Sequence, residues 1–322
     1  MVKRGVSLFF IAALAVAACS SSTGGSTAPS NAPSAAASAS EVASTAPSAA
    51  ASASASAAAS AAASPIAGGL LDSVLKAGKL RISTDKNYAP QSFLNPDGTW
   101  TGFDIDVGNE IAKRLGVTAE FKSIDWDVIT AGSWAKRWDV SIGSMTITIP
   151  RQKVLDFTSP YYYTPAQMAA TTKSGITSID GLAGKTVCVG VATTYQDWLQ
   201  GTLQSVSVGP VASPPAGVKV KTETSDNDCA EFIKSKRDVG DGFLSSATVI
   251  DSSIANGTPI VKVGDPVYIE QLAASTDKKG PDDTDFIAAV SKIIDDMHAD
   301  GTLTTLSKKW FNGQDLTVKP AG

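Results

Sequence analysis

The sequence predicts an α/β protein with largely parallel sheets, arranged as two lobes. Strand-like and helix-like patterns alternate from about residue 66 to the end of the chain. The alternation falls into two series, the second beginning near Gly184, and no internal sequence repeat relates them. The span of about 255 residues is long enough for two sizeable cores or one large one.

In the first series, residues 70–77 read as a helix and Leu80-Arg81-Ile82-Ser83 as the strand that follows. Asn95-Pro96-Asp97-Gly98 is a turn. Ile105, Val107, Ile111, Ala112 and Leu115 form one apolar face at helical spacing, and Gly116 supplies the stop. A strand follows over 117–121, a helix over 126–134 and a strand over 140–144. Thr148-Ile149-Pro150 then opens a helix, with proline near its first turn. The second series runs strand 186–191, helix 195–203, strand 218–222, helix 229–234 and strand 242–244. Two helices, 283–299 and 303–310, end the pattern.

The first residues set the compartment. Lys3 and Arg4 precede an apolar run over 6–16, then small residues and Cys19. This is the layout of a secretory signal, and the run is too short to span a bilayer. Val16-Ala17-Ala18-Cys19 resembles a bacterial lipobox, which implies a signal peptide over 1–19 with Cys19 lipidated as the new N-terminus. The plainer alternative is cleavage at an Ala-x-Ala-like site, with Cys19 incidental. From 20 to about 66 the chain is almost entirely Ser, Ala, Thr, Pro and Gly, with Glu41 the one charge. Such a segment has little apolar surface to offset the entropy of ordering. It reads as a flexible linker, with an end-to-end distance on the order of 40 Å.

Lys+Arg number 27 and Asp+Glu 31, a formal net charge of -4. No basic block lies in the globular part, which argues against a nucleic-acid partner. No run after the signal approaches 18 apolar residues, the length a spanning helix needs. If Cys19 takes lipid, Cys188 and Cys229 remain, either as a disulfide suited to an exported chain or as two buried thiols. Two Cys and the lone His298 do not make a metal site, and His298 reads as a surface residue. No cofactor is expected, and nothing resembles a phosphate loop.

Several segments together resemble a known family. They are Leu80-Arg81-Ile82-Ser83-Thr84-Asp85 with Tyr88-Ala89-Pro90; Gly102-Phe103-Asp104-Ile105-Asp106-Val107; Asp125-Trp126; Gly143-Ser144-Met145-Thr146-Ile147-Thr148 with Arg151; Asp156-Phe157-Thr158 with Tyr161-Tyr162; and Asp300-Gly301-Thr302-Leu303 with Lys309-Trp310-Phe311. In this order and spacing the chain resembles the bacterial extracellular solute-binding proteins of family 3, the polar amino-acid class. The resemblance implies the two-lobed periplasmic-binding-protein type II fold, with two crossing strands as hinge and a ligand cleft between the lobes. It implies a first lobe of 70–168 plus 272–322, a second of 173–268, and crossings near 169–172 and 268–271.

The residues make physical sense as a site for a zwitterion. Ligands of open α/β sheets bind beyond the carboxyl ends of strands. Asp85 directly follows a strand and can pair with an ammonium; otherwise it is a cap or turn residue. Arg151 presents a planar fork that fits a carboxylate with two hydrogen bonds. Its plainer reading is a surface arginine beside Asp156, a pair worth little. Gly143 lies on the same strand, and Ser144 and Thr146 can add hydroxyl donors. Tyr88 and Trp126 offer flat faces for a ligand side chain, though aromatics more often belong to a core. By resemblance, Thr193 and Thr194 meet the ligand carboxylate when the cleft closes, unless they only cap a helix. Related sequences also carry cysteines near Cys188 and Cys229, which implies a bridge inside the second lobe.

One departure matters. The family usually grips the ligand ammonium with a second-lobe Asp, and the matching position here is Ser246. The implied function is an extracytoplasmic binding lipoprotein of an ABC importer, monomeric, lipid-anchored to the cell membrane. It takes a carboxylate-bearing polar solute, an amino acid foremost, by cleft closure, and docks on a permease. Two other classes share the fold. One is a dehydratase acting on cyclic amino-acid precursors, with Glu270 as its candidate acid or base. The other is a ligand-sensing receptor module.

Overall fold

The computed structural model of the protein describes residues 65–321, all within one unit, Ala58–Gly322. The expected signal peptide, Cys19 and nearly all of the 20–66 linker lie outside the described residues. Helix α1 (Leu70–Ala77) buries Leu70, Leu71 and Val74 and ends on Gly78, whose left-handed backbone returns its N–H to the Leu75 carbonyl. Strand β1 (Lys79–Thr84) leads to a small antiparallel sheet of β2 (Asn87–Tyr88), β3 (Ser92–Leu94) and β4 (Trp100–Thr101). Helix α2 (Phe103–Arg114), β5 (Thr118–Ser123), the short α3 (Trp126–Thr130), β6 (Val140–Thr146) and the one-turn α4 (Ile149–Gln152) complete the first series.

The 17-residue strand β7 (Leu155–Thr171) carries the chain into the second series. There follow β8 (Thr186–Gly190), α5 (Thr194–Leu199), β9 (Lys219–Glu223), α6 (Asp226–Lys234), β10 (Gly242–Ser246), α7 (Ala247–Ala255) and β11 (Ile260–Lys262). Strand β12 (Tyr268–Asp277) returns to the first lobe, where α8 (Thr284–Ala299) and α9 (Thr302–Trp310) pack.

The main sheet runs β5-β1-β6-β12-β7-β10-β8-β9, with β11 beside β7. β1 pairs in parallel with β5 and β6, and β8 with β9 and β10. β6 is buried at every residue, as a strand covered on both faces must be. Each lobe has its own core. Ile82, Phe103, Val107, Ile111, Phe286 and Ile294 belong to the first, and Met168, Val187, Val189, Leu244 and Tyr268 to the second.

Among the described residues only β7 and β12 run through both lobes, paired antiparallel from Tyr268↔Ala166 to Asp277↔Leu155. From Ala166 onward β7 pairs with β10, so it already belongs to the second lobe there. β7 thus changes partners at Ala166, ahead of the crossing expected at 169–172. Pairing decides this boundary, and side-chain composition carries no mark of it.

Other boundaries differ from expectation for local reasons. The helix expected over 126–134 stops at Thr130, because Gly132, Ser133, Ala135 and Lys136 all have positive φ. α5 ends at Leu199, just before Gly201 at φ 71, not at 203. α6 begins three residues early because Ser225 and Asp228 form a capping box. His298 is half-buried, with its Nε2 3.0 Å from the Pro160 carbonyl, and is not a free surface residue. Cys188 on β8 and Cys229 in α6 form a disulfide that closes a separation of 41 residues.

Candidate functional site

A cleft between the lobes contains about 440 Å³ of space free of protein atoms, part of it open to solvent. Asp85, Tyr88, Trp126, Gly143, Ser144, Thr146 and Arg151 line it from the first lobe, and Thr193 and Thr194 from the second. Strand ends put them there: Asp85 follows β1, Trp126 opens α3 after β5, and Thr193 follows β8.

Arg151 is held in place from both sides. Its backbone N–H caps onto the Thr148 hydroxyl. One guanidinium arm donates to the Thr146 carbonyl and the other to the Ala192 carbonyl of the second lobe, each at 3.0 Å. The Trp126 ring centroid lies 5.4 Å from the guanidinium carbon. Only 7% of Arg151 is exposed, and burial pulls its pKa below the ordinary arginine value, against the charges of Asp197 and Glu270. Among the described residues no carboxylate forms an ion pair with it within 4 Å, so the Asp156 pairing is absent; Asp156 pairs with Lys278 instead.

The hydroxyls are less free than their positions suggest. Ser144, at φ 57, donates its hydroxyl to Asp104 at 2.8 Å and accepts from Tyr162 at 2.7 Å. Asp104 is fully buried, and burial pushes its carboxyl up to about 7. Thr146 and Thr194 both donate to Glu270 Oε1, at 2.5 and 2.8 Å, while Tyr195 donates to Oε2 at 2.8 Å. Thr193 caps α5, accepting from the Gln196 N–H and donating to the Gly190 carbonyl. Ser144, Thr146 and Thr194 thus keep acceptor lone pairs for a ligand, and their protons are already committed.

Asp85 Oδ1 accepts from the Asn87 N–H at 2.8 Å. Burial pushes its carboxyl up to about 6, opposed by that N–H and reinforced by Asp228 and Asp125. Gly143 matters for what it lacks: a Cβ there would stand 3.3 Å from the Thr84 hydroxyl and 3.7 Å from the Trp126 ring.

Ser246 is the exception among the expected ligand residues. It is fully buried, caps α7 through the Val249 N–H, and accepts from Gln91 Nε2 at 3.2 Å and Tyr88 Oη at 3.4 Å. It does not line the cleft. The second-lobe acid that does is Asp226, at the start of α6, together with Thr224 and Ser225. Asp226 accepts from the Gly190 N–H at 2.6 Å and the Ser245 hydroxyl at 2.9 Å. Burial, with the charges of Glu270 and Asp85, pushes it up to about 7. Sequence reasoning missed Asp226 because Ser225-Asp226-Asn227-Asp228 reads as a helix cap. Its place just past the end of β9 was the available signal.

Two α/β lobes hinged by paired strands over a polar cleft make the type II periplasmic-binding-protein fold. The profile of the bacterial extracellular solute-binding proteins, family 3, matches residues 80–313, and the chain belongs to that family. It is therefore an extracytoplasmic binding protein and not an enzyme. It is 33% identical over 253 residues to the L-cystine-binding protein TcyJ of Escherichia coli (strain K12), covering 77% of this chain and 88% of that one. It is 30% identical to the lysine/arginine/ornithine-binding periplasmic protein of the same organism, covering 72% and 87%. The solved structure of an ancestral arginine-binding protein bound to arginine superposes with a TM-score of 0.62 at 28% identity, covering 73% and 98%.

Proposed function

We propose that the cleft binds a free α-amino acid for an ABC importer, with Arg151 taking the carboxylate and Asp85 the α-ammonium. The observation that carries this is Arg151 itself. It is a buried guanidinium held by two carbonyls, lacking a carboxylate of its own, and it faces a cleft that also holds an unpaired carboxylate. A charge-assisted fork of this kind is the strong way to hold a carboxylate. The names of the relatives support an amino acid as ligand.

Tyr88 and Trp126 would flank the ligand side chain, and Thr193 and Thr194 would close over it. Lipidation at Cys19 would tether the domain through the 20–66 linker, as a monomer delivering solute to a separate permease; the sequence pattern of residues 3–19 supports this.

Calorimetry against the common amino acids tests the site. Arg151→Ala is expected to weaken binding at least ~100-fold, since each of the fork's two hydrogen bonds to a charged group contributes about 1.5–3 kcal/mol. The melting temperature of the ligand-free protein should stay nearly unchanged. Retained affinity would remove Arg151 from the site.

A further inference from the structure

The cleft is lined by more carboxyl groups than a zwitterion can pair. Three carboxylates line it, Asp85, Asp226 and Glu270, against the single guanidinium of Arg151. Glu270 is already served: three hydroxyls donate to its two oxygens, and Arg151 lies close enough to favour its charge. Asp85 and Asp226 are not. Among the described residues neither pairs with a Lys or Arg, and they receive one and two hydrogen bonds respectively. A carboxylate offers about four acceptor positions, so both keep capacity. They come from opposite lobes, and the charge of Asp85 reaches Asp226. Two buried acids placed this way repel until a cation joins them.

We propose that the solute is an α-amino acid whose side chain carries a net positive charge, with Asp226 as the second-lobe acceptor for that cation. The assignment rests on the reading above, in which Arg151 takes the carboxylate and Asp85 the α-ammonium. A neutral side chain leaves Asp226 with its two hydrogen bonds and no cation. Cystine brings a second carboxylate together with its second ammonium, so its far end carries no net positive charge to offer Asp226, and the cleft is lined by one guanidinium among the described residues. Likeness to a cystine-binding relative therefore does not carry its ligand over to this chain.

Isothermal titration of the full-length protein at pH 7.5 tests this with L-lysine, L-arginine, L-ornithine, L-glutamine and L-cystine. At least one of the three dibasic ligands is expected to bind ~10-fold or more tighter than glutamine and cystine. Asp226→Asn should lower the affinity for that ligand by about 10- to 100-fold, as expected for losing a charged partner, and leave glutamine within ~3-fold. The proposal is overturned if wild-type protein binds glutamine or cystine as tightly as any dibasic ligand; this arm needs no variant, so misfolding of Asp226→Asn leaves a decision. It is also overturned if that variant, folded, weakens every ligand equally. If no amino acid binds and Arg151→Ala changes nothing, the underlying reading fails and the charge assignment falls with it.

Discussion

Arg151 and Ser246 show how unevenly single residues can be read. Arg151 stands five residues past the end of β6 at Thr146, where a surface arginine was the plainer reading, and it lines the cleft. Ser246 occupies the position of an expected ligand residue, yet the packing of α7 turns its hydroxyl toward Val249, Gln91 and Tyr88. The buried acids lead to a pH prediction. Asp104 and Asp226 stand at about 7 and Asp85 at about 6, against an ordinary Asp value of 3.8. The native state thus holds these protons more tightly than the unfolded chain. The stability they contribute is fully present below about 3.8 and is lost as pH rises through 6 to 7. Ligand-free protein should therefore melt at a higher temperature at pH 5 than at pH 7.5. A bound cation favours the charged forms, so the melting shift produced by ligand should grow over the same interval. Calorimetric melts with and without ligand check both trends.

At the scale of elements, helices with a clear apolar stripe were legible and long strands were not. Residues 105–115 show their stripe directly, and α2 follows it. β7 contains Pro160 and Pro165 within 17 residues, a composition that argues against a central strand. It survives because the β7–β12 ladder shifts register beside Pro160, which pairs with Ala273. The disulfide ties α6 to β8 and so holds the start of α6, where Asp226 stands, against the strand end at Gly190. Closing a loop across 41 residues contributes on the order of 4 kcal/mol in the chain-entropy account. Cys188→Ala with Cys229→Ala should lower the urea midpoint by an amount equivalent to about 2–4 kcal/mol. A variant as stable as the parent would mean that the bridge constrains little.

For the whole molecule, the question is what holds the lobes together. Asn87 donates to Ser225 and Asp228 at 3.1 and 3.0 Å, and Gln91 to Thr248 at 2.6 Å, all from first lobe to second. Neither Asn87 nor Gln91 lines the cleft. These contacts favour the closed arrangement without touching solute, and affinity depends on the population of the closed state. Gln91→Ala is therefore expected to weaken binding about 3- to 10-fold, mainly through faster release. Small-angle scattering should show a smaller radius of gyration with saturating ligand in both proteins. An unchanged radius would argue against closure, and unchanged affinity against the polar latch.

The sequence by itself determined the class of fold, because alternating strand and helix patterns are local. With the family resemblance of residues 143–151, it pointed to Arg151, which lines the cleft. It also bounded the partners, through charge and the basic-apolar start of the chain. Tertiary structure alone decided where the chain crosses between lobes, which follows from strand pairing. It alone showed that Ser144, Thr146 and Thr194 have their hydroxyl protons committed to buried carboxylates. And it exchanged Ser246 for Asp226 in the second lobe, since which side chain reaches a cleft depends on how separate helices pack around it.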